Sequence, residues 1–416
     1  MRDLPVRERL LAAAVAVSGL LVVAWLGIHG QSMPDWQTEA RGAVSQLLDG
    51  HLRDFLKLAP TYGGSLILRA PFMFATKLWH GGPTAVYAAG AVPALLALGV
   101  LGGWLFGHLR ARGGSLAACL LALLLCVANP VIIPALYYGH PEDILGTALC
   151  IGAVLCALDD RPAWAGVLLG LAIPNKEWAL VATGPVLVAL PRDRIRALLI
   201  AGAVAGALVA PFLLGASGTF VANTQGAGLD TGSVFQPFQL WWWLGAPIHL
   251  SSGALTGSRL APAWAQTVSH PLIIAIMIPL TALYAWRSRR RARPDRTGVF
   301  LLLALLLALR CALDTWDISY YPLPFLVALL AWEVSRGRGV PLLTLAATLS
   351  TWFIFRETTY AALNLSGNGQ ALVFTVVAVP AIAALAVGCY APGLGRALAA
   401  RARRRRPPAL PDPAAA

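Results

Sequence analysis

Long apolar runs separated by short charged stretches dominate this chain of 416 residues. An α-helix needs about 20 apolar residues to cross a bilayer core of about 30 Å. The apolar runs fall at about 10–28, 84–107, 115–137, 143–158, 164–190, 197–215, 271–286, 299–313, 322–334, 340–355 and 371–390. Their number and length predict an all-α, polytopic membrane protein.

The run at 164–190 is too long for one simple span. As a single helix of about 27 residues it would extend roughly 40 Å, well beyond the hydrocarbon core. Pro174 and Asn175 interrupt it near the middle, beside Lys176 and Glu177. Either one long helix crosses the membrane here, or two short helices form a hairpin. The two alternatives place every later segment on opposite sides of the membrane.

The distribution of basic residues favours the hairpin. Cytoplasmic loops of membrane proteins carry an excess of lysine and arginine. With a hairpin, the arginine clusters at 2–9, 110–112, 161, 192–196, 287–296, 336–338 and 396–406 all fall on one side. We therefore expect about twelve membrane segments in the plasma membrane, with both termini cytoplasmic. We expect residues 1–395 to form a single transmembrane domain and 396–416 a basic, proline-rich cytoplasmic tail.

Composition supports this class of protein. Charged residues make up 12% of the chain and hydrophobic residues 58%, whereas a soluble domain carries about 25% charged residues. The net charge of +13 is explained by cytoplasmic loops beside anionic lipid headgroups, so we expect membrane lipids and no nucleic acid as partners. The six cysteines lie inside apolar runs without CxxC spacing, as small buried hydrophobic residues do.

Two outer connections are long in this topology, at 30–83 and 216–270. The first collects Asp35, Glu39, Asp49 and Asp54 at the membrane boundary, where carboxylates stay ionised at little cost. Residues 64–79 are apolar but broken by charges, which favours an interfacial helix over a span. The second connection contains three consecutive tryptophans, 241–243, which fit either an interfacial belt or a surface for stacking sugar rings.

Polar residues next to apolar runs are candidates for chemistry, because hydrocarbon penalises them. Asp35 is either a general base for a sugar hydroxyl or a solvated loop acid. The segment 140–143 brings together His140, Glu142 and Asp143. Either this cluster caps the following helix, or Glu142, Asp143 and a loop acid hold one divalent ion.

Two cationic groups are candidates for phosphate binding. Lys176 either pairs with Glu177 or supplies a point charge for a lipid phosphate. Arg310 and Arg356 either bind phosphate or pair with Asp314 and Glu357. The chain has no Walker A sequence and no dinucleotide fingerprint in a suitable context, which argues against ATP or a nucleotide sugar as the direct energy source. A membrane-embedded donor is the simplest alternative.

The order of these segments resembles polytopic glycosyltransferases of the GT-C fold. The relevant stretches are PDW, LLDG, PTYGGSLILRAP, GHPED, WAGVLLGLAIPNKEWAL and TWDISYYPLPFL, between about residues 10 and 330. The resemblance is closest to the family 87 polyprenyl-phosphate-mannose-dependent mannosyltransferases of actinobacteria. It implies an inverting enzyme that acts on the outer face and needs no nucleotide.

Carried over by position, the resemblance makes Asp35 the catalytic base. It places Lys176, Arg310, Trp316, Tyr320 and Tyr321 near the donor phosphate. The other expected substrate-binding residues are Trp36, Asp54, Tyr62, His140, Glu142 and Arg356. No residue is assigned to a metal and no cofactor is expected, although the need for a divalent ion stays open.

Our leading hypothesis is transfer of a hexose, with mannose expected, from a polyprenyl-phosphate donor to a lipid or glycan acceptor. The alternatives are a lipid-linked sugar flippase or secondary transporter, and a relative that binds glycolipid without turnover. Broken helices and buried charges also mark transporters. Transporters concentrate acids at mid-bilayer, however, whereas this chain places most of its non-cytoplasmic acids at the outer boundary.

Overall fold

A computed structural model describes residues 4–230, 233–249, 255–289, 295–337, 339–356 and 362–393. The helices are α1 (Val6–Ile28), α2 (Arg41–Leu48), α3 (Leu52–Leu58), α4 (Gly63–Ala75), α5 (Pro83–Ala111), α6 (Leu116–Val127), α7 (Ile132–Tyr138), α8 (Pro141–Leu158), α9 (Pro162–Asn175), α10 (Thr183–Ala189), α11 (Arg194–Asp230), α12 (Ala263–Ser288), α13 (Arg296–Leu313), α14 (Leu323–Arg336), α15 (Leu342–Ile354) and α16 (Gly367–Tyr390). The predicted tail, 396–416, lies outside the described residues, as does Glu357.

Every predicted apolar run coincides with helix. In the described part of the chain, eight helical segments are long and apolar enough to cross a membrane, with α6 and α7 counted as one segment. They are Val6–Ile28, Pro83–Ala111, Leu116–Tyr138, Pro141–Leu158, Arg194–Asn223, Ala263–Ser288, Arg296–Leu313 and Gly367–Tyr390. Helices α9, α14 and α15 are shorter, with 13 or 14 residues. The prediction of a mainly helical, polytopic membrane protein is confirmed, and the count of twelve membrane segments stays a prediction.

The segment 162–189 folds back on itself. Helix α9 ends at Asn175, Lys176 is extended, and a 3-10 turn (Glu177–Ala182) leads into α10. The two ends of this segment are adjacent, because Arg192 and Asp160 form an ion pair of 2.9 Å. Lys176, in the middle, lies instead beside the start of α8, 3.7 Å from Glu142. The two short helices therefore form the hairpin that the charge pattern favoured.

Ion pairs join other helix ends on the same side. Arg110, in the last turn of α5, binds Glu8, in the first turn of α1, with an N to O distance of 2.7 Å. Arg296 at the start of α13 binds Asp159, and Arg112 donates to the carbonyl oxygen of Ser335. We call this end of the bundle the basic face and the opposite end the site face. That the basic face is cytoplasmic stays a prediction.

The helices differ strongly in burial. Helix α8 and helix α13 are buried along most of their length, whereas few residues of α11, α12 and α16 are buried. Exposed apolar surface costs about 25 cal/mol per Å² in water, so helices apolar on every side are stable only against lipid. The centre of the bundle therefore holds α8 and α13, and both begin or end at the site face.

The second long connection contains a small sheet that the all-α prediction did not include. Helix α11 kinks at Ala216 and continues to Asp230. After it, β1 (Val234–Phe235), β2 (Ala246–His249) and β3 (Leu255–Leu260) form an antiparallel sheet in the order β1-β3-β2. Val234 pairs with Leu260 in this register. A strand of two residues is too short to produce a readable alternation in sequence.

The tryptophans beside this sheet do not form an exposed belt or platform. Trp241 and Trp242 are buried, with 7% and 2% of their surface exposed, and only Trp243 is substantially exposed. Trp242 donates to Asn368 on α16. Both interpretations drawn from the sequence are therefore wrong for Trp241 and Trp242, whose rings pack within the protein.

Candidate active site

A glycine allows two distant parts of the site to touch. Gly139 has a φ of +112°, a left-handed conformation that side chains disfavour. A Cβ atom there would lie 2.6 Å from both the backbone nitrogen and the Cβ of Trp36. The chain after α7 can therefore pass directly against the turn after α1. This contact brings His140 to Asp35.

His140 lies between two carboxylates. Its Nε2 is 3.0 Å from Oδ2 of Asp35, and its Nδ1 is 2.7 Å from Oε1 of Glu142. Burial and the Lys176 charge lower the pKa of His140, but the Glu142 charge and the hydrogen bonds to both acids outweigh them and raise it to about 9. The imidazolium donates from both nitrogens, because each faces an acceptor.

Glu142 is the most heavily contacted acid of the site. It is fully buried, and Arg69 of α4 lies 3.3 Å from its second oxygen. Arg69 is 1% exposed, and Glu142 is the partner that a buried charged side chain requires. In the sequence, Arg69 is one of the charges that interrupt the apolar segment 64–79, and it was not among the predicted site residues. Its position there was the available signal, since an arginine in an apolar helix must find an acid or the interface.

Lys176 is held at the break of the hairpin. Its Nζ lies 3.7 Å from carboxylate oxygens of both Glu142 and Asp143, and 4.6 Å from the centre of the Tyr62 ring. Trp178 Nε1 donates to the other oxygen of Asp143 at 2.7 Å. Because 3.7 Å is too long for a hydrogen bond, the ammonium protons are not committed to either acid. Lys176 does not pair primarily with Glu177, the alternative considered from the sequence.

Aromatic rings connect His140 to Arg310. The Tyr320 ring stacks on His140 with centroids 5.0 Å apart, and Tyr321 packs edge-on against Tyr320 at 5.2 Å. The Arg310 guanidinium lies 4.1 Å from the centre of the Tyr321 ring. Asp35, His140, the two tyrosines and Arg310 therefore form one continuous set of contacts across the site face.

The segment between α13 and α14 carries two acids in opposite states. Asp314 lies 3.4 Å from Arg310 and accepts a hydrogen bond from the backbone N–H of Trp316. Burial raises the pKa of Asp314, but the hydrogen bond from His270 and the charge of Arg310 lower it by more, so the pKa lies below its usual value and this acid is ionised. Burial raises the pKa of Asp317 well above its usual value. Neither oxygen of Asp317 has a hydrogen-bond partner among the described residues, which fits a neutral acid.

A cavity of about 1070 Å³ lies below Arg310, between α10, α12 and α13. At the site face it is lined by Glu177, His270, Arg310 and Asp314, and at the basic face by Arg194, Ser288, Arg289 and Asp295. Between these ends the walls are mainly apolar, with Leu187, Ile273, Ile274, Met277, Ile278 and Val299 among the lining residues. From residue 270 to residue 288, α12 runs about 27 Å at 1.5 Å per residue. The cavity suits a long apolar chain that ends in an anionic group.

Some predicted site residues lie elsewhere. Trp36 is buried and packs on Tyr87, with ring centroids 5.2 Å apart. Asp54 is exposed on α3 and pairs with Lys57. Arg356 is exposed at the end of α15, over the Trp352 ring. None of these three side chains has a described contact with the His140 network, and their roles in substrate binding stay predictions.

Tyr62 does join the network, on the side of Asp35. Its hydroxyl donates to Glu39 at 2.6 Å, and its ring lies edge-on to His140. The ligand atoms of Asp35, Glu39 and His140 lie within 4.8 Å of one another, close enough to hold a metal ion. A metal ion would bind Nε2 of His140 only by displacing the proton that this nitrogen donates to Asp35.

Residues 64–312 match the model of glycosyltransferase family 87. The chain belongs to glycosyltransferase family 87. The resemblance in the sequence is thus confirmed at the level of the family, and the protein is a membrane glycosyltransferase. A search of curated proteins found no match. The matched region of this glycosyltransferase contains His140, Glu142, Lys176 and Arg310, whereas Asp35 precedes it and both tyrosines follow it.

Proposed function

We propose that this family 87 glycosyltransferase transfers a hexose, with mannose expected, from a polyprenyl-phosphate donor to a lipid or glycan acceptor. The reaction takes place at the outer face of the plasma membrane and inverts the anomeric centre. One observation carries the proposal. A single network joins Asp35, with 33% of its side chain exposed, to Arg310 at the head of the apolar cavity.

The cavity supports a lipid-linked donor. Its apolar walls are similar in polarity to the bilayer hydrocarbon in which a prenyl chain lies, so the chain can enter the cavity without exposing apolar surface to water. Arg310 lines its upper end, and Nη1 of Arg310 is buried without a hydrogen-bond partner in the described structure. An unpaired buried guanidinium N–H is costly, and a phosphate oxygen would satisfy it. The donor phosphate therefore sits at Arg310 and the prenyl chain runs below it.

The sugar then lies between Arg310 and Asp35, across the face formed by Tyr320 and Tyr321. Asp35 takes the proton of the acceptor hydroxyl while that oxygen attacks the anomeric carbon. The bond from that carbon to the phosphate oxygen breaks, and its electron pair leaves with the polyprenyl phosphate. Lys176 and Arg310 stabilise the charge that develops on the phosphate. A single displacement of this kind inverts the anomeric centre.

His140 orients the base. Its Nε2–H donates to Oδ2 of Asp35 and leaves the other oxygen of that carboxylate to accept the proton. Glu142 fixes the imidazolium from the other side, and Arg69 and Lys176 balance the charge of Glu142. The buried ions thus neutralise one another in a chain that ends at the exposed carboxylate.

The test is transfer by the purified protein in lipid nanodiscs. We expect labelled polyprenyl-phosphate mannose to give a labelled acceptor in a membrane lipid extract, and labelled GDP-mannose to give none. The product should carry the anomeric configuration opposite to that of the donor. Transfer from the nucleotide sugar alone, or retention of configuration, would refute the proposal.

A further inference from the structure

The loop between α11 and α12 makes two buried hydrogen bonds to the backbone around Asp314. Gln239 Nε2 donates to the carbonyl oxygen of Thr315 at 2.9 Å. Trp241 Nε1 donates to the carbonyl oxygen of Leu313 at 2.6 Å. Gln239 is fully buried and Trp241 is 7% exposed. We call Gln239 and Trp241 the outer clamp.

The clamp contacts the backbone just beyond the last turn of α13. Leu313 is the last residue of α13, so its carbonyl oxygen has no acceptor role within the helix. The following residues, 314–322, are not in a regular helix. Because the clamp binds the carbonyls on both sides of Asp314, it restricts the backbone that aims this carboxylate. Asp314 in turn lies 3.4 Å from Arg310.

Packing and hydrogen bonds hold the clamp in place. Phe235, Trp242 and Ala261 form a small core with Trp241, separate from the main core of the bundle, and Ala371 of α16 belongs to it. Trp242 donates to Asn368 at 3.1 Å, and Arg259 of β3 stacks on the Trp242 ring. The sheet therefore ties the end of α13 to the start of α16. A loop with its own core and two anchors holds a fixed position.

We infer that Gln239 and Trp241 are positioning residues for the donor side of the active site. They hold 313–315 so that Asp314 orients Arg310 toward the donor phosphate. This inference rests on the proposed function. The clamp and the sheet beside it then act in donor binding. They have no role in the chemistry of the acceptor hydroxyl, because Asp35 lies at the other end of the network.

The experiment compares Gln239→Met and Trp241→Phe with Trp243→Phe. The first two variants each remove one buried donor and keep a large side chain. Trp243 is 46% exposed and donates to Thr375 on α16 at 3.5 Å, so its variant also removes an indole N–H in the same loop but not at α13. We expect the KM for the donor to rise about fivefold in each clamp variant, the loss typical of one net hydrogen bond. The KM for the acceptor should stay unchanged, as should both constants in Trp243→Phe.

Hydrogen exchange measured by mass spectrometry separates this inference from the proposed function. Peptides covering 314–322 should exchange faster in both clamp variants than in Trp243→Phe and the parent protein. Unchanged exchange in these peptides would overturn the inference whether or not the parent protein transfers sugar. Faster exchange with an unchanged donor KM in an active parent protein would also overturn it. An inactive parent protein would refute the proposed function. The exchange data alone would then show whether Gln239 and Trp241 hold residues 314–322.

Discussion

The imidazole Nε2 of His140 lies 3.0 Å from a carboxylate oxygen of Asp35, although 105 positions separate the two residues in the chain. This contact joins the first loop of the site face to the centre of the bundle. Everything buried behind it, from Glu142 to Arg69 and Lys176, is an ion network that ends at one partly exposed acid.

Asp35→Asn should nearly abolish transfer, because the amide has no basic oxygen to take the acceptor proton. General base catalysis contributes about 10²- to 10⁴-fold to the rate. We therefore expect kcat to decrease by a factor of about 10² to 10⁴, while the KM for the donor changes little. Initial rates with labelled polyprenyl-phosphate sugar measure both constants. Asp49→Asn, an exposed acid in the same loop, is the matched control and should keep full activity. Full transfer by Asp35→Asn would remove this residue as the base.

Lys176→Met should weaken donor binding. A hydrogen bond to a charged group contributes about 1.5–3 kcal/mol, which corresponds to a rise in the donor KM of roughly 10-fold or more. Lys57→Met removes an exposed lysine that pairs with Asp54 on α3 and is the control. Thermal unfolding in detergent identifies any variant that fails to fold. An unchanged donor KM in folded Lys176→Met would place the phosphate elsewhere.

His140 should make the stability of the protein depend on pH. Its pKa is raised from about 6.5 to about 9 by Glu142 and Asp35, so the folded state binds the proton more tightly than the unfolded chain. The stabilisation is fully present below pH 6.5 and is lost as the pH rises through 9. The shift corresponds to stabilisation on the order of 3 kcal/mol.

The measurement for His140 is the unfolding temperature in detergent at pH 6 and at pH 9.5. The parent protein should lose more stability between these values than His140→Gln, which cannot titrate. His51→Gln, the same substitution at an exposed histidine outside this network, is the control. Equal losses in the parent protein and in His140→Gln would contradict the assigned protonation state.

Labelling with a membrane-impermeant thiol reagent tests the orientation. Single cysteines introduced at the exposed positions Gln37, Asp160 and Arg192 report on the two faces. We expect Gln37→Cys to react in intact cells, and Asp160→Cys and Arg192→Cys to react only after permeabilisation. Four of the six native cysteines are buried, and the parent protein measures their background. Reaction of residues 160 and 37 from the same side would contradict the topology.

Chelation should leave transfer unchanged. The ligand atoms of Asp35, Glu39 and His140 lie within 4.8 Å of one another, but a metal ion would have to displace the proton that the pKa of about 9 assigns to His140. Activity in EDTA, compared with activity in added Mg²⁺ or Mn²⁺, measures this directly. If EDTA abolished transfer and a divalent ion restored it, a metal ion would have to displace the proton of His140.

Much of the fold follows from local patterns. The apolar runs predicted the helices because burial in lipid requires each span to be apolar along its own length. Pro174 and Asn175 predicted the break at Lys176, and the arginine clusters predicted that residues 160 and 192 lie on one side. The sheet and the buried tryptophans were not predicted, because short strands and aromatic rings take their roles from distant partners.

The sequence by itself determined that the chain is a helical membrane protein, which residues lie at the ends of its spans, and that Asp35, Lys176 and Arg310 are candidates for chemistry. Only the tertiary structure decided that Gly139 lets His140 meet Asp35, that Arg69 is buried against Glu142, and that Gln239 and Trp241 bind the end of α13. Hydrophobicity acts on each segment independently, whereas hydrogen bonds and ion pairs form only between groups that packing has brought within a few ångströms of each other.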